Sequence, residues 1–256
     1  MEKYGLVLGG GGSRGAYQAG AIKALIELGF QAEIVTGTSV GSINASVYAQ
    51  QDFSFLEDVW GKITYRQVVK HKFKWKNKAR EILCKAPWKQ GFELSPLKKL
   101  LKRYLNEDKI RSSRIKLGLV YTGPRTTYCP FSIDDIPTAQ LVDFVIASCS
   151  ATPLLKATTL KNGLKCTDGG FTDNVPVALA AQMGATKIIA IKLMSGTRKP
   201  YNKKSLQVLY LKPSKRLPFF LNFDKDKLKA MFKMGYEDTL AKKEQILKFL
   251  HSDSQN

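Results

Sequence analysis

Ser39 stands at the centre of Gly37-Thr38-Ser39-Val40-Gly41, a G-x-S-x-G pentapeptide. In such a turn a serine can serve as a nucleophile. The turn holds it in a strained backbone conformation, and the flanking glycines keep side chains clear of the neighbouring strand and helix. A nucleophilic serine needs a proton acceptor, usually histidine. The chain has two histidines: His71, inside the basic stretch KHKFKWKNKAR (70–80), and His251, near the end. His71 lies in a solvated run of charge, which leaves His251 as the formal candidate in the order nucleophile, carboxylate, late histidine. A carboxylate packed against the serine in a dry site can instead take the proton directly. Asp168 in TDGGFTDNVP is the best placed, because it ends a short strand and Gly169 and Gly170 let it approach other backbone closely. Asp173 is its local competitor, and a turn aspartate that bonds only its own backbone is the plainer reading of Asp168.

A second glycine-rich stretch precedes the serine. Gly10, Gly11, Gly12, Ser13, Arg14 and Gly15 spell G-x-G-x-x-G between a strand and a helix. A dinucleotide-binding turn would want an acidic residue at the end of the second strand. Glu33 falls at the beginning of that strand, so the nucleotide reading is weak. The alternative is that successive glycine N–H groups at a helix start form an oxyanion hole. That hole faces Ser39 if the first two strands are parallel neighbours.

The elements that must hold these residues follow from periodicity. Residues 4–8 (YGLVL) read as a buried strand, and 15–30 carry apolar residues at helical spacing up to Gly29. A second strand at about 32–36 runs into the serine turn and another helix. Two strand–turn–helix units in the first fifty residues predict an α/β fold with a central, mainly parallel sheet. Further strands are expected at 115–122, early in 163–176, at 186–194 and at 206–213. Helices are expected at 95–105 (Ser95 as N-cap, Pro96 in the first turn), 139–153, 177–185, and as one lysine-rich helix over about 225–250. The length fits one domain over 1–250, with a disordered tail at 251–256.

Charge is the other signal. Lys and Arg number 41 against 21 acidic residues, a net charge of +20. Residues 60–116 hold eighteen of the basic residues against four acidic ones. In SPLKKLLKRYL (95–105) the leucines share a face opposite Lys98, Lys99, Lys102 and Arg103. Such a segment suits peripheral contact with an anionic membrane, or is a solvated lid with its leucines in the core. Nucleic acid is the weaker partner, since no recognition motif accompanies the charge. Cys84, Cys129, Cys149 and Cys166 lie far apart without nearby histidine, so neither a metal site nor a redox pair is expected. No signal peptide is expected from the opening MEKYGLVLGGGGSRG, whose apolar run is short and passes into glycines, and no transmembrane helix is expected, since no run reaches about 20 apolar residues. A cytoplasmic protein, peripheral at most at the inner membrane face, is the expectation.

GGGGSRG, GTSVG and DGG in this order resemble the patatin-like phospholipase family, particularly its small bacterial members. ASCSATP (147–153), Asn174 and Pro176 after DGG, and GYEDTL near the end agree with that pattern, whereas 60–112 matches only loosely. The resemblance implies a Ser–Asp dyad without histidine or cofactor: Ser39 the nucleophile and Asp168 the general base. It makes Gly10, Gly11 and Gly12 with Arg14 the oxyanion segment, and Gly15, Gly37, Gly41, Gly169 and Gly170 the motif glycines. The implied activity is hydrolysis of fatty-acyl esters of lipids through an acyl-enzyme. Two other readings stay open: a lipid- or partner-binding scaffold without turnover, and an esterase or thioesterase on soluble substrates. The oligomeric state is not legible.

Overall fold

In the computed structural model, which describes residues 2–70, 91–194 and 206–251, the aliphatic run Tyr4–Leu8 forms the central strand β1. The other strands are β2 (Ile34–Thr38), β3 (Lys116–Gly123), β4 (Thr127–Ser132), β5 (Thr158–Thr159), β6 (Lys165–Asp168), β7 (Lys187–Ile191) and β8 (Gln207–Leu211). They join in the order β5-β6-β3-β2-β1-β7-β8, with β4 paired to β3. The run from β3 to β8 is parallel, while β4 and β6 meet β3, and β5 meets β6, antiparallel. The mainly parallel α/β sheet expected from the sequence is therefore present.

Ten α-helices and four short 3-10 turns, one of them Gly12–Arg14, complete the described chain; the α-helices are α1 (Gly15–Glu27), α2 (Val40–Gln50), α3 (Ser54–Asp58), α4 (Tyr65–Val68), α5 (Ser95–Tyr104), α6 (Glu107–Arg111), α7 (Leu141–Ser148), α8 (Val177–Gln182), α9 (Lys225–Leu240) and α10 (Lys243–His251). Alternation along β1 sends Leu6 and Leu8 into the larger core and Val7 into a smaller one with Val177 and Ala180 of α8. α2 is buried along its whole length and α1 nearly so. α1 can be sunk this deeply because α9 lies directly on it. A Cβ on Gly20 would stand 1.9 Å from the Phe232 carbonyl oxygen, and one on Gly235 1.9 Å from that of Tyr17. Two glycines thus let the helix backbones touch.

Several boundaries differ from the sequence reading. β2 runs to Thr38, because Gly37 pairs with both Leu8 and Leu119. α5 starts at Ser95 with Leu94 as its N-cap, so Ser95 is inside the helix. The 139–153 segment is helical only over Leu141–Ser148. The lysine-rich C-terminal segment is two helices, with the second running to His251. The basic stretch 71–90, which holds His71 and Cys84, and the tail 252–256 lie outside the described residues.

α5 resolves part of the charge question. Leu97 and Leu101 are buried, and Lys98 pairs with Asp143 of α7. Its leucine face belongs to the core.

Candidate active site

Strand register brings Ser39 and Asp168 together. Along β3, Val120 pairs with Thr38, the last residue of β2, and the next residue, Tyr121, pairs with Asp168, the last residue of β6. β4 occupies the opposite edge of β3 over these same positions. β2 and β6 therefore approach one edge of β3 from opposite directions and stop where they meet. The residue after Thr38 is Ser39.

Ser39 has φ 55° and ψ −128°, a left-handed conformation that costs a non-glycine residue of order 1–3 kcal/mol. The turn is held from several sides. Gly37 and Gly41 make it sterically feasible: a Cβ on Gly37 would lie 2.2 Å from the Gly41 carbonyl oxygen, and one on Gly41 2.0 Å from that of Leu8. The Ser39 carbonyl accepts from the Ser42 N–H (2.8 Å) and the Ser42 hydroxyl (2.6 Å). The Ser39 N–H donates to Ser148 Oγ at 2.8 Å, and that hydroxyl donates to the Val120 carbonyl at 2.6 Å. Ser39 is the N-cap of α2, yet its side chain caps nothing. It lies within hydrogen-bonding reach of Asp168 instead.

Asp168 is 7% exposed. Its Oδ1 accepts from the Gly170 N–H at 2.7 Å, and its own N–H donates to the Ser150 carbonyl at 3.0 Å. Burial pushes the carboxyl up to about 6, against the opposing pull of the Ser39 hydroxyl and the Gly170 N–H. A base that titrates there is ionised at neutral pH and far stronger than an ordinary aspartate. Gly169 is needed at this corner, since a Cβ would stand 2.2 Å from the Val120 carbonyl oxygen.

The glycine loop crosses above the pair. Gly9 and Gly10 donate their N–H groups to Ile191 and Asn174 carbonyls, both at 3.1 Å, and Arg14 donates its N–H to Gly11 at 3.2 Å. Gly10 and Arg14, expected in the oxyanion segment, thus have their amides engaged elsewhere. Gly11 and Gly12 line the cavity, and their N–H groups meet no acceptor among the described residues. Behind the loop, buried Gln18 donates to the Gly9 carbonyl at 2.7 Å and accepts from Asn44, whose own carbonyl oxygen accepts from the Trp60 indole at 2.9 Å. Asn44 also donates to the Gly15 carbonyl. A Cβ on Gly15 would fall 2.4 Å from Val40 and 2.6 Å from Trp60, so the last motif glycine seats the loop on α2.

Other candidates fall away on position. Leu250 receives the Tyr4 hydroxyl, so His251 lies by the start of β1, whereas Ser39 follows the end of the parallel β2. Four residues of strand separate those ends, about 13 Å. Glu33 bonds Tyr4 through its N–H and shares the wrong end. The Asp173 carbonyl accepts from the Thr38 hydroxyl at 2.8 Å, and its carboxylate acts on Tyr210 of β8, away from the cavity. No metal-ligand cluster exists among the described residues.

Ser39, Asp168, Gly11 and Gly12 lie at the floor of a cavity of about 390 Å³. Its walls are apolar: Ile43, Phe55, Trp60, Leu94, Leu97 and Leu155 among them. Cys149 also faces it, its thiol pushed up by burial and 3.9 Å from Ser42. The residues the sequence reading left without a role are Ser148, Ser150 and Gln18. The ASCSATP block supplies the first two, and together they hold the backbones of both Ser39 and Asp168.

A family model described as patatin-like phospholipase matches residues 6–181. Lysophospholipase NTE1 of Debaryomyces hansenii is 30% identical over 208 residues, covering 78% of this chain and 12% of that protein. The human patatin-like phospholipase domain-containing protein 6 is 28% identical over 196 residues, covering 74% and 13%. The chain thus spans about an eighth of the length of the curated relatives it matches. Among solved structures, VipD from Legionella pneumophila superposes with a TM-score of 0.56 over 96% of this chain and 67% of that one. At 14% identity, that likeness speaks for the fold.

Proposed function

Because this chain belongs to the patatin-like phospholipase family, we propose that it is a serine acyl hydrolase that cleaves fatty-acyl esters of phospholipids through Ser39 and Asp168. The observation that carries the reading is a buried carboxyl, raised to about 6, beside a strained serine at the floor of an apolar cavity. A polar reactive pair in such a lining suits an ester whose acyl part is a hydrocarbon chain. The names of the curated relatives, lysophospholipase among them, point the same way.

In this mechanism Asp168 accepts the Ser39 hydroxyl proton as Oγ attacks the ester carbonyl carbon. The tetrahedral oxyanion receives hydrogen bonds from the Gly11 and Gly12 N–H groups, and the positive end of α2 adds to the favourable field. Asp168 returns the proton to the leaving alkoxide, which departs as the alcohol and leaves an acyl-enzyme on Ser39. Water then gives its proton to Asp168 and attacks the acyl carbonyl. Collapse releases the fatty acid, and the Ser39 oxygen recovers its proton from Asp168.

The test is fatty-acid release from phospholipid vesicles and turnover of short-chain soluble esters by wild type, Ser39→Ala and Asp168→Asn, with folding checked by circular dichroism. The reading expects release by wild type alone. A folded wild type silent on both substrates would overturn it in favour of a binding scaffold. Turnover confined to soluble esters would move the substrate class away from lipids.

A further inference from the structure

Five large apolar or aromatic side chains stand exposed among the described residues: Tyr104, Phe171, Met194, Tyr210 and Phe219. Three of them gather at the cavity mouth. Phe171 (54% exposed) and Met194 (38%) line it, and Phe219 (53%) stacks on Phe220, which also lines it, with ring centroids 4.5 Å apart. An apolar collar around the opening of an apolar cavity marks an interaction site.

The collar is held in place. The Ser13 N–H and hydroxyl donate to the carbonyls of Phe220 and Phe219, and Arg14 Nε donates to that of Pro218 at 2.8 Å. The Phe219 ring is therefore presented to solvent by the same short helix turn that follows the glycine loop. Positive charge precedes it closely in the chain. Lys212, Lys215 and Arg216 are exposed and have no acidic partner among the described residues. Arg216 also lies close enough to Arg14 to help, after burial, in lowering its pKa. Residues 212–220 themselves hold three basic side chains and no acidic one; of the acidic groups nearest in the chain, Asp224 accepts from the Lys227 N–H, Asp226 is exposed, and Asp238 accepts from the Ser214 N–H and the Tyr17 hydroxyl. In the segment the sequence singled out, Lys70, Lys98 and Arg111 are paired with Glu93, Asp143 and Glu107, while Lys99, Lys102 and Arg103 are exposed without an ion pair among the described residues, away from the apolar side chains at the cavity mouth.

We infer that residues 212–220, with Phe171 and Met194, form the face that docks this protein on an anionic phospholipid surface. Phe219 and Phe171 enter the acyl boundary, while Lys212, Lys215 and Arg216 stand at the level of the phosphates. The charge complements anionic headgroups, and Phe171 and Met194 of the collar are themselves part of the cavity lining. An acyl chain can then pass from bilayer to Ser39 without crossing water. The physiological meaning of the face rests on the proposed lipid hydrolysis, but its binding is measured separately.

The experiment is co-sedimentation of the Ser39→Ala protein with phosphatidylcholine vesicles, with and without phosphatidylglycerol, alone and carrying Phe219→Ser or Arg216→Glu. Partition onto the anionic vesicles is expected to fall about tenfold for Phe219→Ser and at least about fivefold for Arg216→Glu. The Arg216 effect should vanish on pure phosphatidylcholine. In the Ser39 protein, both substitutions should leave turnover of a soluble short-chain ester unchanged. Phe219→Trp covers the case of a misfolded serine variant: its added fluorescence should shift to the blue with anionic vesicles. Wild-type-like binding by either variant, or no blue shift, overturns the inference. So does a Phe219-dependent dimer without vesicles, which would assign the face to a second copy. Vesicle binding without any ester turnover would leave the docking face standing and the proposed hydrolysis refuted.

Discussion

The floor and the mouth of the cavity break the ordinary rules of folding in opposite senses. At the floor, a carboxyl is kept away from water among apolar walls, and a serine is held with a positive φ. At the mouth, aromatic side chains are kept in water. Both arrangements are rigidly supported: Ser148, Ser150 and Gly170 hold the floor, and Ser13 and Arg14 hold the mouth. The lesson is that each end is prepared for something the free protein lacks. The floor suits a reacting ester, and the mouth suits an apolar surface to sit against. Strain in a fold is informative by its kind as well as its presence.

The contrast can be broken first at the floor. Ser39→Ala and Asp168→Asn are each expected to lower kcat for ester hydrolysis by at least about 10³-fold while the protein stays folded, as steady-state kinetics and circular dichroism will show. A folded Asp168→Asn protein with substantial activity would mean that the proton goes elsewhere.

The same substitution should make the protein more stable. The unfolded carboxyl titrates near 3.8 and the folded one at about 6. Well below pH 3.8 both states are protonated and nothing is lost. As pH rises from about 3.8 through about 6, the unfolded carboxyl ionises freely while the folded one holds its proton, so stability falls, and it levels off once both are ionised. The gap is worth about 3 kcal/mol. Asp168→Asn should therefore gain up to about that much at pH 8, and little at pH 4, in urea unfolding. A loss of stability at pH 8 would show that the floor is not strained by charge.

Ser148→Ala sharpens the account of how the elbow is aimed. It leaves the Ser39 N–H without its acceptor and should lower kcat about 10–100-fold with KM nearly unchanged. In the pH profile, kcat/KM should rise about tenfold per unit below about 6 and level off above it. The smallest effect belongs to the mouth. Phe219→Ser should change stability by no more than about 0.5 kcal/mol, because the ring is packed mainly against Phe220 and half exposed. A large loss would make Phe219 a structural residue.

What the sequence discloses is uneven for a physical reason. The glycine loop, the elbow and DGG are legible because each writes its requirement into neighbouring residues: glycines where backbone passes close to backbone. β1, β7 and the central α/β plan are legible from apolar runs bounded by turns. β4 escaped notice because TYCPFS carries Pro130, which a sheet interior would not accept but an edge strand paired on one side does. β5 is too short to leave a pattern. The break between α9 and α10 falls at Ala241 and Lys242, residues with no helix-stopping character. Ser148 was visible only as part of a block, because its contact spans 109 positions to Ser39 and no local spacing encodes it. The collar at the mouth was illegible as well. Phe171, Met194 and Phe219 come from separate segments, and exposure is set by the fold around them.

The glycine-to-glycine crossing of α1 and α9 also sets an order of events during synthesis. Tyr17 and its hydrogen-bond partner Asp238 are 221 positions apart. At about 5–20 residues per second, a ribosome needs roughly 10–40 s to make the second after the first. Throughout that interval α1 has no cover on its outer face, and the glycine loop at its start is without the 218–220 turn that braces it. Ser39 and Asp168 are thus made well before the helix that covers α1, and the loop beside them gains its full bracing only once α9 has been synthesised.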